Sequence, residues 1–155
     1  MTPNQKAFLD MIAHSELGAD LLAVSDNGYD VIVGSTAKKP ILFSSYSDHP
    51  RRLIKINDGL SSTAAGRYQL LARWFDAYKR MLKLPDFSPA SQDAIALQQI
   101  REQRALPDIE AGRFADAVRK VSNIWASLPG AGYGQHENQL AALQAAYVNA
   151  GGALA

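Results

Sequence analysis

Apolar residues recur at helical spacing near the start of the chain: Phe8, Leu9, Met11 and Ile12 share one stripe, while Lys6 and Asp10 fall on the opposite side. Ahead of them, Thr2-Pro3-Asn4-Gln5 supplies an N-cap, a proline at the first helical position and a glutamine that can reach back to the cap. The pattern predicts a helix from this cap to about Ser15. Glu16 continues the apolar stripe, one helical turn past Ile12.

Between Asn27 and Asn57 the helical period is lost and β-branched runs take over. Tyr29 to Val33 follows Asn27-Gly28, then come Ile41 to Phe43 and Leu53 to Ile56, the last ending at Asn57-Asp58-Gly59. These runs predict a small three-stranded antiparallel sheet, with residues 35–40 as a connecting loop. Helical spacing returns after Ser61-Ser62-Thr63, with Tyr68, Leu71, Phe75, Tyr78 and Leu82 on one face and Leu70 and Trp74 widening it. Tyr68 and Trp74 are therefore expected in the core. Ser88-Pro89 opens a further helix through Ile95 and Ile100 that stops near Pro107, and Phe114, Ala117, Val118, Val121, Ile124 and Trp125 mark another. A glycine-rich loop from Leu128 to Gly134 follows. Leu140, Leu143 and Tyr147 mark a last helix closed by Gly151-Gly152. Helices flanking one short sheet make the fold class α+β, and a chain of 155 residues is expected to form a single domain.

Composition narrows the function mainly by exclusion. The net charge of +1, from 16 basic and 15 acidic residues, gives no long-range attraction to nucleic acid or to an anionic membrane. Cysteine is absent, which removes disulfides, thiolate metal sites and cysteine nucleophiles together. The first residues do not show the charged head, apolar run and small-residue cleavage site of a secretory signal, and no stretch is long and apolar enough to span a bilayer. His14, His49 and His136 lack metal-site spacing, and His136-Glu137 lacks the second histidine of the zinc-protease motif. No cofactor and no metal are expected.

Glu16 is the unusual residue. A carboxylate on a buried stripe and at the C-terminal end of a helix is disfavoured as an anion by desolvation and by the helix dipole, so its pKa should rise. That is the condition a general acid needs. The pattern also admits a plainer reading, in which the helix frays before Glu16 and the side chain reaches water.

Several blocks bear on that choice. They are Lys6 to Glu16, Gly28 to Gly34, Tyr46-Ser-Asp-His-Pro-Arg51, Ser62 to Leu71, Ser91 to Ile100 and Ser122 to Gln135. In this order they resemble the corresponding segments of the phage lambda-type endolysins, from the first helix to the last loop. The resemblance implies a lysozyme-like fold with a mainly helical lobe, a small antiparallel β lobe at about residues 27–57, and a saccharide cleft between them. It also implies lytic transglycosylase chemistry: cleavage of the β-1,4 bond from N-acetylmuramic acid to N-acetylglucosamine in peptidoglycan without water, leaving a 1,6-anhydro end. The family's catalytic glutamate falls on Glu16, which would protonate the leaving oxygen and then, as carboxylate, take the proton of the muramyl 6-hydroxyl.

Hydrolytic glycosidases normally use two carboxylates. The best second candidate is Asp30, with Asp48 behind it, and both are expected instead to bind sugar hydroxyls or cap a turn. Gly66-Arg67-Tyr68-Gln69 resembles the Gly-x-x-Gln element that opens the central helix in lytic transglycosylases, so Gln69 is expected to face the cleft; by pattern alone it is an exposed helix position. Tyr133, among Gly130, Gly132 and Gly134, can offer a sugar both a flat face and a hydroxyl, or can plug the core beneath its loop. Tyr46 and His49 are expected to line the β lobe by the same resemblance.

The chain departs from the family pattern at three places. His14 stands where a tryptophan is common, Leu17 separates the acid from Gly18, and Ala65 replaces a glycine before Gly66. The expected partners are peptidoglycan glycan strands, with a separate holin releasing a monomeric enzyme from the host cytoplasm to the periplasm. A hydrolytic muramidase using Asp30, and a non-catalytic wall-binding or phage structural module, remain the alternatives.

Overall fold

The computed structural model describes residues 1–130 and 137–155. The chain divides into two compact units, one built from residues 1–16 with 96–155 and the other from residues 17–95.

In the first unit, α1 (Pro3–Leu17) begins as its cap residues dictate. The Gln5 N–H donates to Thr2 Oγ1 at 3.1 Å while the Thr2 N–H donates to Gln5 Oε1 at 3.2 Å, a reciprocal capping box. Phe8, Leu9, Met11 and Ile12 are buried as the stripe required, and Lys6 pairs with Asp10 on the outer side. Phe8 meets Phe114 of α6 (Phe114–Val121) and Tyr147 of α7 (Leu140–Asn149) at ring-centroid distances of 6.0 and 6.4 Å, largely edge-on. Trp125 and Leu128 complete this core. The short α5 (Leu106–Glu110) was not expected; its Asp108 is buried and receives Arg113 Nε at 2.8 Å and Lys120 Nζ at 2.5 Å.

The second unit holds α2 (Ala19–Ala23), β1 (Ile54–Asn57), β2 (Leu60–Ser62) and α3 (Ala72–Leu82). α4 (Pro89–Glu102) belongs to it as far as Ile95. Its core gathers Ala65, Leu70, Phe75, Phe87 and Ile95, with Phe43, Tyr78, Leu82 and Leu84 packed against them.

The sheet corrects the three-stranded expectation. β1 and β2 form one antiparallel hairpin, Ile54 opposite Ser62 and Lys55 opposite Ser61. Asn57-Asp58-Gly59 is the hairpin turn, the Gly59 N–H held by Asn57 Oδ1 at 3.0 Å, and the serines after it are a strand. Tyr29 to Val33 and Ile41 to Phe43 make only an isolated bridge, Val31 to Leu42. Ser35 explains why: its hydroxyl donates to Ile32 O at 2.6 Å and accepts the Ile41 N–H at 2.8 Å, so a side chain takes positions that a ladder would use.

A second correction concerns the central helix. Residues 66–69 form a turn closed by the bridge between Ala65 and Leu70, and α3 starts only at Ala72. Its buried stripe therefore runs through Phe75. Trp74, adjacent to it, is 49% exposed, with the Arg73 guanidinium over its ring. Tyr68 is buried as expected, but in a polar network: its hydroxyl donates to Asp93 at 2.6 Å, as does that of Tyr29 at 3.0 Å, and Arg67 donates to Tyr68 at 3.1 Å.

Candidate active site

Glu16 lies in the last turn of α1, and the helix does not fray before it. The helix runs one residue further, to Leu17, and Gly18 takes the left-handed break with φ +82°. Leu17, the departure beside the acid, is accommodated within the second unit: its Cδ1 and Leu22 Cδ2 each come to 2.8 Å of the point where a Cβ on Gly28 would stand. Only glycine fits there, and its φ of +86° agrees.

Three polar residues, all within the first unit, form a hydrogen-bonded chain that ends on Glu16. The Ser127 hydroxyl donates a short hydrogen bond to Glu16 Oε2. Ser127 Oγ is also 2.8 Å from Ser15 Oγ, one residue before the acid on the same helix. Asn138 Nδ2 donates to both the main-chain oxygen and the hydroxyl of Ser15, each at 3.0 Å, while the Asn138 N–H holds Ser127 O at 2.8 Å. Burial pushes the Glu16 carboxyl above its ordinary pKa of 4.5. The Ser127 hydroxyl and N–H oppose this by stabilising the anion, and burial is the larger effect. No second charged group contributes among the described residues. The result is an acid that holds its proton to higher pH than a free glutamate, with a donor ready for its conjugate base.

The other predicted residues lie in the second unit. Asp30 is partly buried, and its Oδ1 accepts the Asp26 N–H at 2.9 Å, a turn-capping bond. Tyr46 donates to Asp26 Oδ2 at 2.6 Å, and burial together with that carboxylate raises its phenol pKa. Asp26, absent from the sequence expectations, thus ties Tyr46 and Asp30 together. Gln69 is partly exposed in the left-handed region (φ +51°), and its amide donates to Gly66 O at 2.9 Å. The element expected to open a helix is a tight turn that holds this amide.

His49 is a correction. It is 2% exposed, stacked near Phe75 and Phe87, with Nε2 on Leu70 O at 2.8 Å and Nδ1 accepting the Arg51 N–H at 2.9 Å. Both ring nitrogens are taken, so it is a core residue and offers a sugar nothing. Tyr133 lies outside the described residues. Asp48 pairs with Arg51, which also binds Asp76, on an exposed face.

Ser127 and Asn138 were not singled out from sequence. The signal for Ser127 was available: a hydroxyl residue between buried Trp125 and Leu128, just before Pro129-Gly130. Among the described residues no group of three His, Asp or Glu could hold a metal ion, and no helix is long and apolar enough to cross a membrane.

Comparison with known proteins bears directly on this geometry. A family model described as Endolysin matches residues 6–154. The endolysin of Escherichia phage lambda is 57% identical over 150 residues, covering 96% of this chain and 91% of the relative. The endolysin of Escherichia phage P2 is 51% identical, covering 96% and 93%. A solved bacteriophage lambda lysozyme in complex with a chitohexasaccharide superposes with a TM-score of 0.92 at 54% identity, covering all of this chain and 98% of that one. A second structure of lysozyme from bacteriophage lambda gives 0.88 at 53% identity with the same coverage.

Proposed function

The chain belongs to the endolysin family and has the lysozyme fold, and from that premise we propose that it is a peptidoglycan lytic transglycosylase in which Glu16 serves as both acid and base. Its substrate would be the glycan strand of the bacterial wall; saccharide binding is carried over from the relative solved with a chitohexasaccharide.

The observation that carries the reading is the environment of one carboxyl group. Glu16 is raised by burial and contacted by a hydroxyl, with no second carboxylate among the causes of its displacement. In the first step its proton goes to the glycosidic oxygen as the bond from that oxygen to the muramyl anomeric carbon breaks. In the second, the muramyl 6-hydroxyl attacks that carbon and its proton returns to Glu16. One bond forms and one breaks within the glycan, the proton account closes on a single residue, and water is not consumed. The Ser127 hydroxyl favours the carboxylate between the two steps, when the charge is present.

A hydrolase would need a second carboxylate to act on water or on the anomeric carbon. Asp30, the best candidate, has an oxygen engaged by the Asp26 N–H, which favours a binding or turn-capping role. Gln69 and Tyr46 suit contacts to sugar amides and hydroxyls, and Tyr133 would supply an aromatic face. We place the enzyme as a single monomeric catalytic domain in the host cytoplasm until a separate holin opens the membrane and it reaches the periplasm. The test is clearing of outer-membrane-permeabilised Gram-negative cells: Glu16→Gln is expected to bind purified wall without clearing. Clearing by that variant at the parental rate would overturn the assignment.

A further inference from the structure

Asn138 stands at the far end of the hydrogen-bond chain from Glu16 and touches neither the acid nor, in the described contacts, anything but Ser15 and Ser127. Its amide orientation is not ambiguous. The main-chain oxygen of Ser15 can only accept, so the atom 3.0 Å away must be the NH2 group, and the same group reaches Ser15 Oγ. Because an NH2 group only donates, Ser15 Oγ accepts from it and keeps its own hydrogen for Ser127 Oγ, 2.8 Å on. Ser127 then directs its hydrogen to Glu16.

We propose that Asn138 is a positioning residue for the acid: by fixing which way the Ser15 and Ser127 hydroxyls point, it makes Ser127 a constant donor to Glu16. This deepens the reading of Glu16 as acid and base and rests on it. Without the amide, the two hydroxyls can reverse, and Ser127 then donates to Ser15 for part of the time. The carboxylate formed after proton donation loses the hydroxyl in that state, the burial effect is opposed by the Ser127 N–H alone, and the acid holds its proton to higher pH. The nearby titratable side chains along these segments are His14 on α1 and Glu137, whose carboxylate accepts the Gly130 N–H at 3.1 Å; neither is among the causes that displace Glu16.

The test is the pH profile of kcat/KM on purified peptidoglycan for Asn138→Ala, with Asn138→Asp as a second variant that keeps the shape and the main-chain bond to Ser127 but removes the donors. Both are expected to lower kcat roughly tenfold, the scale of one hydrogen bond to a charged group. KM should stay near the parental value, and the high-pH limb should move upward. Ser127→Ala should move the limb in the same direction, and the double variant Ser127→Ala with Asn138→Ala no further. An unmoved limb in both Asn138 variants, or effects that multiply in the double variant, would overturn the proposal, even if thermal stability falls. Glu16→Gln is measured alongside: full activity there defeats the assignment of the acid, whereas an inactive Glu16→Gln with an unmoved Asn138 limb defeats the relay alone.

Discussion

The Ser127 hydroxyl donates to the carboxylate of Glu16 across 111 residues of sequence, and this bond works against the burial that raises the acid's pKa. The opposition suits a group that must both give and take a proton. Burial alone would yield a good proton donor whose anion is costly to form; the hydroxyl lowers that cost without cancelling the shift.

The same burial makes Glu16 a liability for stability. Its folded pKa is raised, so between its ordinary value of 4.5 and its folded value the folded state binds more protons than the unfolded one, and stability falls as pH rises through that window. Glu16→Gln should therefore unfold at higher temperature than the parent at pH 7, by a few degrees, and the gain should vanish below pH about 4, where both states are protonated. Calorimetry across pH checks this.

His49 carries the opposite sign. Leu70 O requires a hydrogen on Nε2 and the Arg51 N–H requires a lone pair on Nδ1, so the ring is neutral in one tautomer, and burial holds its pKa below 6.5. Stability is then lost as pH falls from 6.5 towards the folded value, since the unfolded chain takes up the proton first. Urea unfolding of His49→Gln should show a flatter profile between pH 7 and 5 than the parent, from a lower starting stability. Asp48, Asp76, Asp86 and Asp108, all lowered by their partners, act in a separate window, losing their contribution as pH falls below 3.8.

Gly66 tests the turn that holds Gln69. Its φ is +84°, and a Cβ would collide with Gln92 Oε1, which accepts the Arg67 N–H, and approach Phe87 Cζ to 3.0 Å. Gly66→Ala should cost about 2 kcal/mol or more in denaturant unfolding, combining backbone strain with overpacking.

Much of this molecule could be read from its residues. Thr2 to Gln5 announced a capping box, and Phe8 to Ile12 announced the buried face that carries Glu16, because both signals are local and periodic. The hairpin at Asn57 to Gly59 was readable as a turn, but Leu60 to Ser62 is too short and too polar to declare itself a strand. Tyr68 is buried as its spacing suggested, but on a turn, because helical spacing was extended back across Gly66; Trp74 misled because the apolar face of the helix was drawn too wide, the buried stripe running through Phe75. Ser127 and Asn138 stayed hidden because a relay assembled from two distant segments has no period. His49 shows a motif residue whose placement depends on tertiary burial that no local pattern records.

Asp30 separates the two chemistries. Asp30→Asn keeps an oxygen for the Asp26 N–H, so a transglycosylase should lose only part of its clearing rate, within roughly tenfold, while a two-carboxylate hydrolase should lose roughly a thousandfold or more. Rates on permeabilised cells distinguish these outcomes.

The central claim is that one glutamate transfers a proton out and back while the glycan closes on itself. Mass spectrometry of the muropeptides released from purified peptidoglycan tests it most directly. Products ending in 1,6-anhydro-muramyl groups, with no water added, are the predicted result; reducing muramyl ends carrying the mass of one water would contradict it.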